Sequence, residues 1–111
     1  MDGRPQFTND LEERTFQFAK AVRKFVKLVP RTLSNIEDVR QLVRASGSIG
    51  ANYIEAQEAL SRKDFRMRVR IARKEAKETR YWLRLLYIED NAPLNLERDN
   101  LLNECVELLK I

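Results

Sequence analysis

The sequence predicts an all-α fold, an up-down-up-down antiparallel four-helix bundle. Three observations carry that prediction. Apolar residues recur at steps of three and four along four segments. Capping-type residues open each segment. The breaks between segments are only about two to five residues, which favours antiparallel neighbours. Composition agrees, with 43% hydrophobic and 34% charged residues and only three Gly and three Pro in 111 residues. That length predicts one domain. We read it as residues 9–111, behind a polar leader, residues 1–8, expected to be flexible.

The first helix is expected from about Asp10 to Val29. Asn9 and Glu12 form a capping box, and Pro30 ends the helix. Leu11, Thr15, Phe18, Val22, Phe25 and Val29 share one face. The second is expected from about Asn35 to Ala59, capped by Ser34 with Glu37. Its inner stripe reads Ile36, Val39, Val43, Ser46, Gly50, Tyr53, Gln57 and Leu60. The third is expected from Arg62 to Asp90, capped by Ser61 with Asp64 and stopped by Asn91 and Pro93. Phe65, Val69, Ala72, Ala76, Thr79, Leu83 and Leu86 make a heptad-like seam. The fourth is expected from Leu96 to Lys110, with Asn95 as its N-cap and Leu101, Leu102, Cys105, Val106, Leu108 and Leu109 as apolar positions.

Two of the three glycines, Gly47 and Gly50, fall inside the second helix, where glycine costs roughly 1 kcal/mol relative to alanine. The apolar stripe passes through them without changing phase, so the helix is expected to continue. If the second and third helices form a hairpin turning near Ser61, facing residue numbers sum to about 122. Ser46 then meets Ala76 and Gly50 meets Ala72, a close-packed waist whose dispersion contacts offset the propensity cost. Gly47 and Ala51 point to close approach by a second neighbour.

Both central helices carry a second apolar line. On the second it is Leu42, Ala45, Ile49, Ala56 and Ala59; on the third it is Ile71, Trp82 and Leu85, with Glu75 and Glu78 between. A monomeric bundle needs one stripe per helix. The extra line leads us to expect a homo-oligomer, with Ile71, Trp82 and Leu85 at the contact. The plainer alternative is that these residues cover the bundle edge.

Charge is uneven. The net formal charge is +4, yet residues 61–93 hold ten Lys or Arg against five Asp or Glu. Arg62, Arg66, Arg70, Arg73, Lys77, Arg80 and Arg84 follow helical spacing and draw one stripe about 25–30 Å long. Like charges at i,i+4 cost roughly 0.2–0.5 kcal/mol per pair. Their compensation comes from a polyanion such as RNA or DNA, or from acids on other helices or subunits, with Glu37, Asp38, Glu55, Glu104 and Glu107 available.

Catalytic chemistry finds little material. The chain has no histidine, so the commonest general base and metal ligand is missing, and with it the Glu-x-x-His pattern of di-iron bundles. Cys105, the one cysteine, sits among apolar positions and reads as a small core residue. Gly47 and Gly50 lack the Lys-Ser/Thr of a phosphate loop. We expect no enzyme activity, no cofactor and no metal. No apolar run is long enough for a membrane span, no secretory h-region is visible, and a lone cysteine fits a reducing compartment. The cytoplasm is the expected location.

The stretch from about residue 39 to 88 closely resembles the bacterial four-helix-bundle proteins encoded in intervening sequences of 23S ribosomal RNA genes. The resemblance rests on Ser48-Ile49-Gly50-Ala51-Asn52-Tyr53, Glu55-Ala56, Lys63-Asp64-Phe65, Ile71-Ala72, Lys74-Glu75-Ala76, Glu78-Thr79-Arg80 and Tyr81-Trp82-Leu83. Ile54 and Arg73 depart from the family pattern. The resemblance implies an up-down bundle that assembles as a homopentamer, without established enzymatic activity. It extends to the accessory variability protein of diversity-generating retroelements, a basic pentamer that binds reverse transcriptase and nucleic acid. It therefore implies RNA, DNA or a nucleoprotein complex as partner.

Overall fold

The computed structural model describes residues 6–111, with side chains from Asp10 onward. Four helices follow one another: α1 Gln6–Val26, α2 Leu33–Gln57, α3 Arg62–Leu85 and α4 Ala92–Leu109. Packing joins α1 to α2, α2 to α3, α3 to α4 and α4 back to α1, while the diagonal pairs stay apart among the described residues. Arg14 in the first half of α1 pairs with Glu104 in the second half of α4, and Asn35 at the start of α2 meets Tyr87 just past α3. Neighbours therefore run antiparallel, and the fold is the expected up-down-up-down bundle, elongated at 49 × 22 × 19 Å.

Helix limits differ from expectation at several ends. Residues 1–5 of the leader lie outside the described residues, and α1 already begins at Gln6. Asn9 is thus inside a helix, not its cap. For α2 the cap is Thr32, not Ser34, because the Thr32 hydroxyl accepts from Asn35 N at 3.1 Å. Ser61 does cap α3, accepting from Asp64 N at 3.1 Å. α4 starts at Ala92, capped by Asn91 and with Pro93 in its first turn. Proline both ends helices and suits their first turn; here Pro93 does the second, and Asn95 lies inside α4.

α3 ends at Leu85, five residues before the expected Asp90. Buried Asn35, 1% exposed, is the reason. Its amide Nδ2 donates to Tyr87 O at 2.8 Å and to Pro30 O at 2.9 Å, and its Oδ1 accepts from Tyr87 N at 2.9 Å. Those bonds hold residues 86–88 extended, so Leu86 and Ile88 go into the core and Tyr87 points out. Arg98 of α4 donates to the freed carbonyls Leu86 O at 2.6 Å and Leu83 O at 3.4 Å, satisfying helix-end acceptors that lack an intrahelical partner.

The 122 register holds, since Asn35 meets Tyr87 and Arg44 meets Glu78. The buried face of α2 matches only at Ser46 and Tyr53. Its core residues are Asn35, Leu42, Ala45, Ser46, Ile49, Tyr53 and Ala56, about one step round the helix from the predicted stripe. Ile36 is exposed, and Val39 and Val43 are half-buried. The line set aside for a neighbouring subunit, Leu42, Ala45, Ile49 and Ala56, is consumed inside the bundle. α2 lies between α1 and α3, so its deepest burial points between both neighbours and not at α3 alone.

Gly50 is corrected in the same way. A Cβ there would lie 2.9 Å from Thr15 Oγ1 and 3.3 Å from Thr15 Cβ. The close approach is to α1, not to Ala72 of α3. A Cβ on Gly47 would lie 3.3 Å from the Arg23 guanidinium, also on α1. Ser46, Ala72 and Ala76 remain buried in the core.

Candidate nucleic-acid interface

α3 is one continuous helix with one buried face. Ala72, Ala76, Thr79 and Leu83 bury its inner face, and the Thr79 hydroxyl donates to Glu75 O at 2.8 Å within the helix. On one outer flank stand Arg62, Arg66, Arg70, Arg73, Lys77, Arg80 and Arg84, all exposed. From Arg62 to Arg84 the stripe spans about 33 Å at the α-helical rise.

None of the seven makes an ion pair among the described residues, and several acids nearby are engaged elsewhere. Glu104 holds Arg14 in a two-pronged bond, Nε to Oε2 at 2.7 Å and Nη2 to Oε1 at 2.9 Å. That bond, the largest cause, raises the Arg14 pKa. Glu107 pairs with Lys110 at 3.1 Å. Glu75 and Glu78 each sit 3.3 Å from Arg44 of α2, and Glu78 also reaches Lys74 at 3.8 Å. Those carboxylates close the α2–α3 seam on the opposite flank of α3. Glu37, Asp38 and Glu55 make no ion pair with the stripe among the described residues. Among the described residues, no ion pair thus offsets the like-charge cost of the stripe.

Core groups sense two stripe members. Burial is the main influence on the Tyr53 phenol and raises its pKa, while Arg73 acts against it. Burial likewise pushes the Cys105 thiol up to about 12, helped by Glu104 and opposed by Arg80. A buried thiol held protonated at neutral pH is neither nucleophile nor metal ligand. Among the described residues no cluster of three or more His, Cys, Asp or Glu is placed to hold a metal, and no helix is long and apolar enough to cross a membrane.

Tyr81 stands at the C-terminal end of the stripe, and Tyr87 follows the end of α3 in a groove shared with Pro30, Glu89 and Asp90. Tyr81 and Tyr87 are each 55% exposed. Tyr81 lies edge-on to Trp82, ring centroids 5.1 Å apart at 77°, and Trp82 packs against the core. Near the other end, Ser61, Lys63, Asp64, Arg66, Met67 and Arg70 line an open groove of about 530 Å³.

Of the residues expected at an oligomer contact, Ile71 and Trp82 are half-buried and Leu85 is exposed. Trp82 Nε1 is buried without a hydrogen-bond partner among the described residues. Sequence reasoning missed Asn35, Arg44 and Arg98. Asn35 had a signal, because it stands in phase with Leu42 and Ile49, where a polar residue must find buried partners.

The model of the family described as 23S rRNA-intervening sequence protein matches residues 8–111. The chain belongs to this family. A solved relative from Bacteroides thetaiotaomicron, described as a protein with unknown function from the S23 ribosomal protein family, is 33% identical, with a TM-score of 0.77 over 90% of this chain and 92% of that one. No curated protein matches the chain. The family match covers all four helices, including α1 and α4, where the sequence motifs are sparse.

Proposed function

We propose that this member of the family is a non-enzymatic assembly protein that contacts RNA, DNA or a nucleoprotein complex through the basic stripe of α3, acting in the cytoplasm. One observation carries the reading: seven exposed cations in a line about 33 Å long, none with a counter-ion among the described residues. Phosphates supply that counter-charge and release bound cations as they do so. The resemblance to the accessory variability protein supports a nucleoprotein setting such as a reverse transcriptase complex. It also supports a homopentamer, which would repeat the stripe around a ring.

Changing Arg66, Arg70, Arg73 and Lys77 together to Gln tests the reading. Nucleic-acid affinity should fall, and the log–log salt slope should shrink by roughly 0.7–0.9 for each phosphate that is no longer neutralised. Light scattering should report an unchanged oligomer. A wild-type oligomer with no affinity for any nucleic acid at low salt overturns the proposal.

A second reading is favoured by the exposed Met67 and Leu85 beside half-buried Ile71. Here the chain is a structural or protein–protein adaptor, and acids of a neighbouring subunit neutralise the stripe. The same quadruple variant then fails to assemble, and nucleic-acid binding is poor in every variant.

A further inference from the structure

We infer that the stripe and its two tyrosines form a track for single-stranded nucleic acid, with bases stacking on Tyr81 and Tyr87; this rests on the nucleic-acid reading above. The first argument is the shape of the charge. All seven cations lie in one arc of α3, and the opposite flank carries Glu75, Glu78, Met67 and Leu85. A helix lodged in the major groove of a duplex meets phosphates on both sides. This helix keeps its row of unpaired cations on one side, while the carboxylates of the other side are already paired with Arg44 and Lys74. Laid along the outside of a duplex, a straight row of cations meets a phosphate strand only where the winding strand crosses it. A single strand is free to follow the whole row. At about 3.4 Å per stacked nucleotide, roughly ten nucleotides cover it.

The second argument is the pair of tyrosines. Tyr81 stands among Lys77, Arg80 and Arg84 of the stripe, within one helical turn of each. Its ring is steadied against Trp82 at 5.1 Å. Tyr87 follows the end of α3, its backbone held at both N–H and C=O by Asn35. Burial of Leu86 and Ile88 on either side keeps its ring in solvent. An exposed aromatic ring whose position is already fixed loses little entropy on binding. Cations along the backbone with aromatic platforms for bases are how single strands are held without sequence preference.

Fluorescence anisotropy with labelled 15-nucleotide oligo-dT and oligo-U, and with 15-base-pair DNA and RNA hairpins, tests the inference on the full chain. At least one single strand should bind roughly tenfold or more tightly than either duplex. Comparing oligo-dT with oligo-U tells whether the strand is DNA or RNA. The single-strand salt slope should approach about −5 if all seven cations engage. Tyr81→Ala and Tyr87→Ala should each weaken single-strand binding by about 5- to 100-fold and leave duplex binding unchanged. Tyr81→Phe and Tyr87→Phe should retain it, with thermal melting confirming that all four variants fold. Duplex binding equal to or tighter than single-strand binding overturns the inference. So does undiminished binding by the folded alanine variants while the Arg66, Arg70, Arg73 and Lys77 variant binds weakly, a result that leaves the nucleic-acid reading standing. No binding to any probe overturns both.

Discussion

α2 and α3 form one hairpin of nearly equal helices, 25 and 24 residues, and use their special residues in opposite ways. α2 makes its distinctive contacts by shape. Gly50 removes a side chain so that Thr15 of α1 can come close, and Asn35 reaches across to hold the end of α3. α3 puts alanines inward and spends its distinctive residues on charge, paired with Arg44 on one flank and unpaired on the other. Changes in α2 should therefore be felt in folding, and changes along the stripe of α3 in recognition.

The largest effect on folding is expected from Asn35→Ala. It leaves Pro30 O, Tyr87 O and Tyr87 N without their side-chain partner, which should cost about 2–4 kcal/mol. Urea unfolding measures it as a lower midpoint at unchanged slope. A cost below about 1 kcal/mol would mean that solvent replaces the clamp.

The two glycines come next, and here the sign is the test. Alanine gains about 1 kcal/mol over glycine in an unhindered helix. Gly47→Ala meets only the mobile end of Arg23 and should be stabilising. Gly50→Ala meets the buried Thr15 hydroxyl, which is fixed by bonds to Leu11 O at 2.9 Å and Glu12 O at 3.0 Å. Over-packing of this kind costs about 1–3 kcal/mol, so the net effect should be destabilising. Thr15→Ala in the same chain should recover at least about 0.5 kcal/mol in a double-mutant cycle. Stabilisation by both substitutions would remove the close α1–α2 approach as the reason for glycine at Gly50.

Cys105 gives a smaller, pH-dependent effect. Its folded pKa, about 12, lies above the ordinary thiol value near 8.5. The contribution is fully present below about pH 8.5 and is lost as pH rises from there toward 12, because only the unfolded thiol ionises in that window. Wild-type stability should fall more steeply with alkaline pH than that of Cys105→Ala. Arg80→Gln removes an influence that lowers this pKa and should move the window slightly upward. A flat difference between wild type and Cys105→Ala across the alkaline range above about pH 8.5 would show that the thiol is not held protonated by burial.

The smallest folding effect should come from the stripe. Replacing Arg66, Arg70, Arg73 and Lys77 by Gln relieves like-charge neighbours and should raise stability by roughly 0.5–1 kcal/mol at low salt, fading as salt is added. Destabilisation by that variant would show that the stripe is held by counter-charges in the assembled protein.

Local chemistry made much of this protein legible in one dimension. Helix type follows from apolar spacing, the start of α3 from Ser61 and Asp64, and the hairpin register from a short turn between two long helices. The stripe is equally local, since seven cations at helical spacing must share a flank whatever packs behind them. Which face of α2 is buried was not legible. α2 offers two apolar lines, and periodicity gives an angle about the helix axis but not the number or direction of neighbours. Only with α1 and α3 both in place do Leu42, Ala45 and Ile49 become core, with Gly50 turned to Thr15. The end of α3 also belongs to the tertiary structure. Intrinsic preference lets residues 86–90 continue the helix, but Asn35, 52 positions away from Tyr87, and Arg98 of α4 offer the backbone better partners than another helical turn.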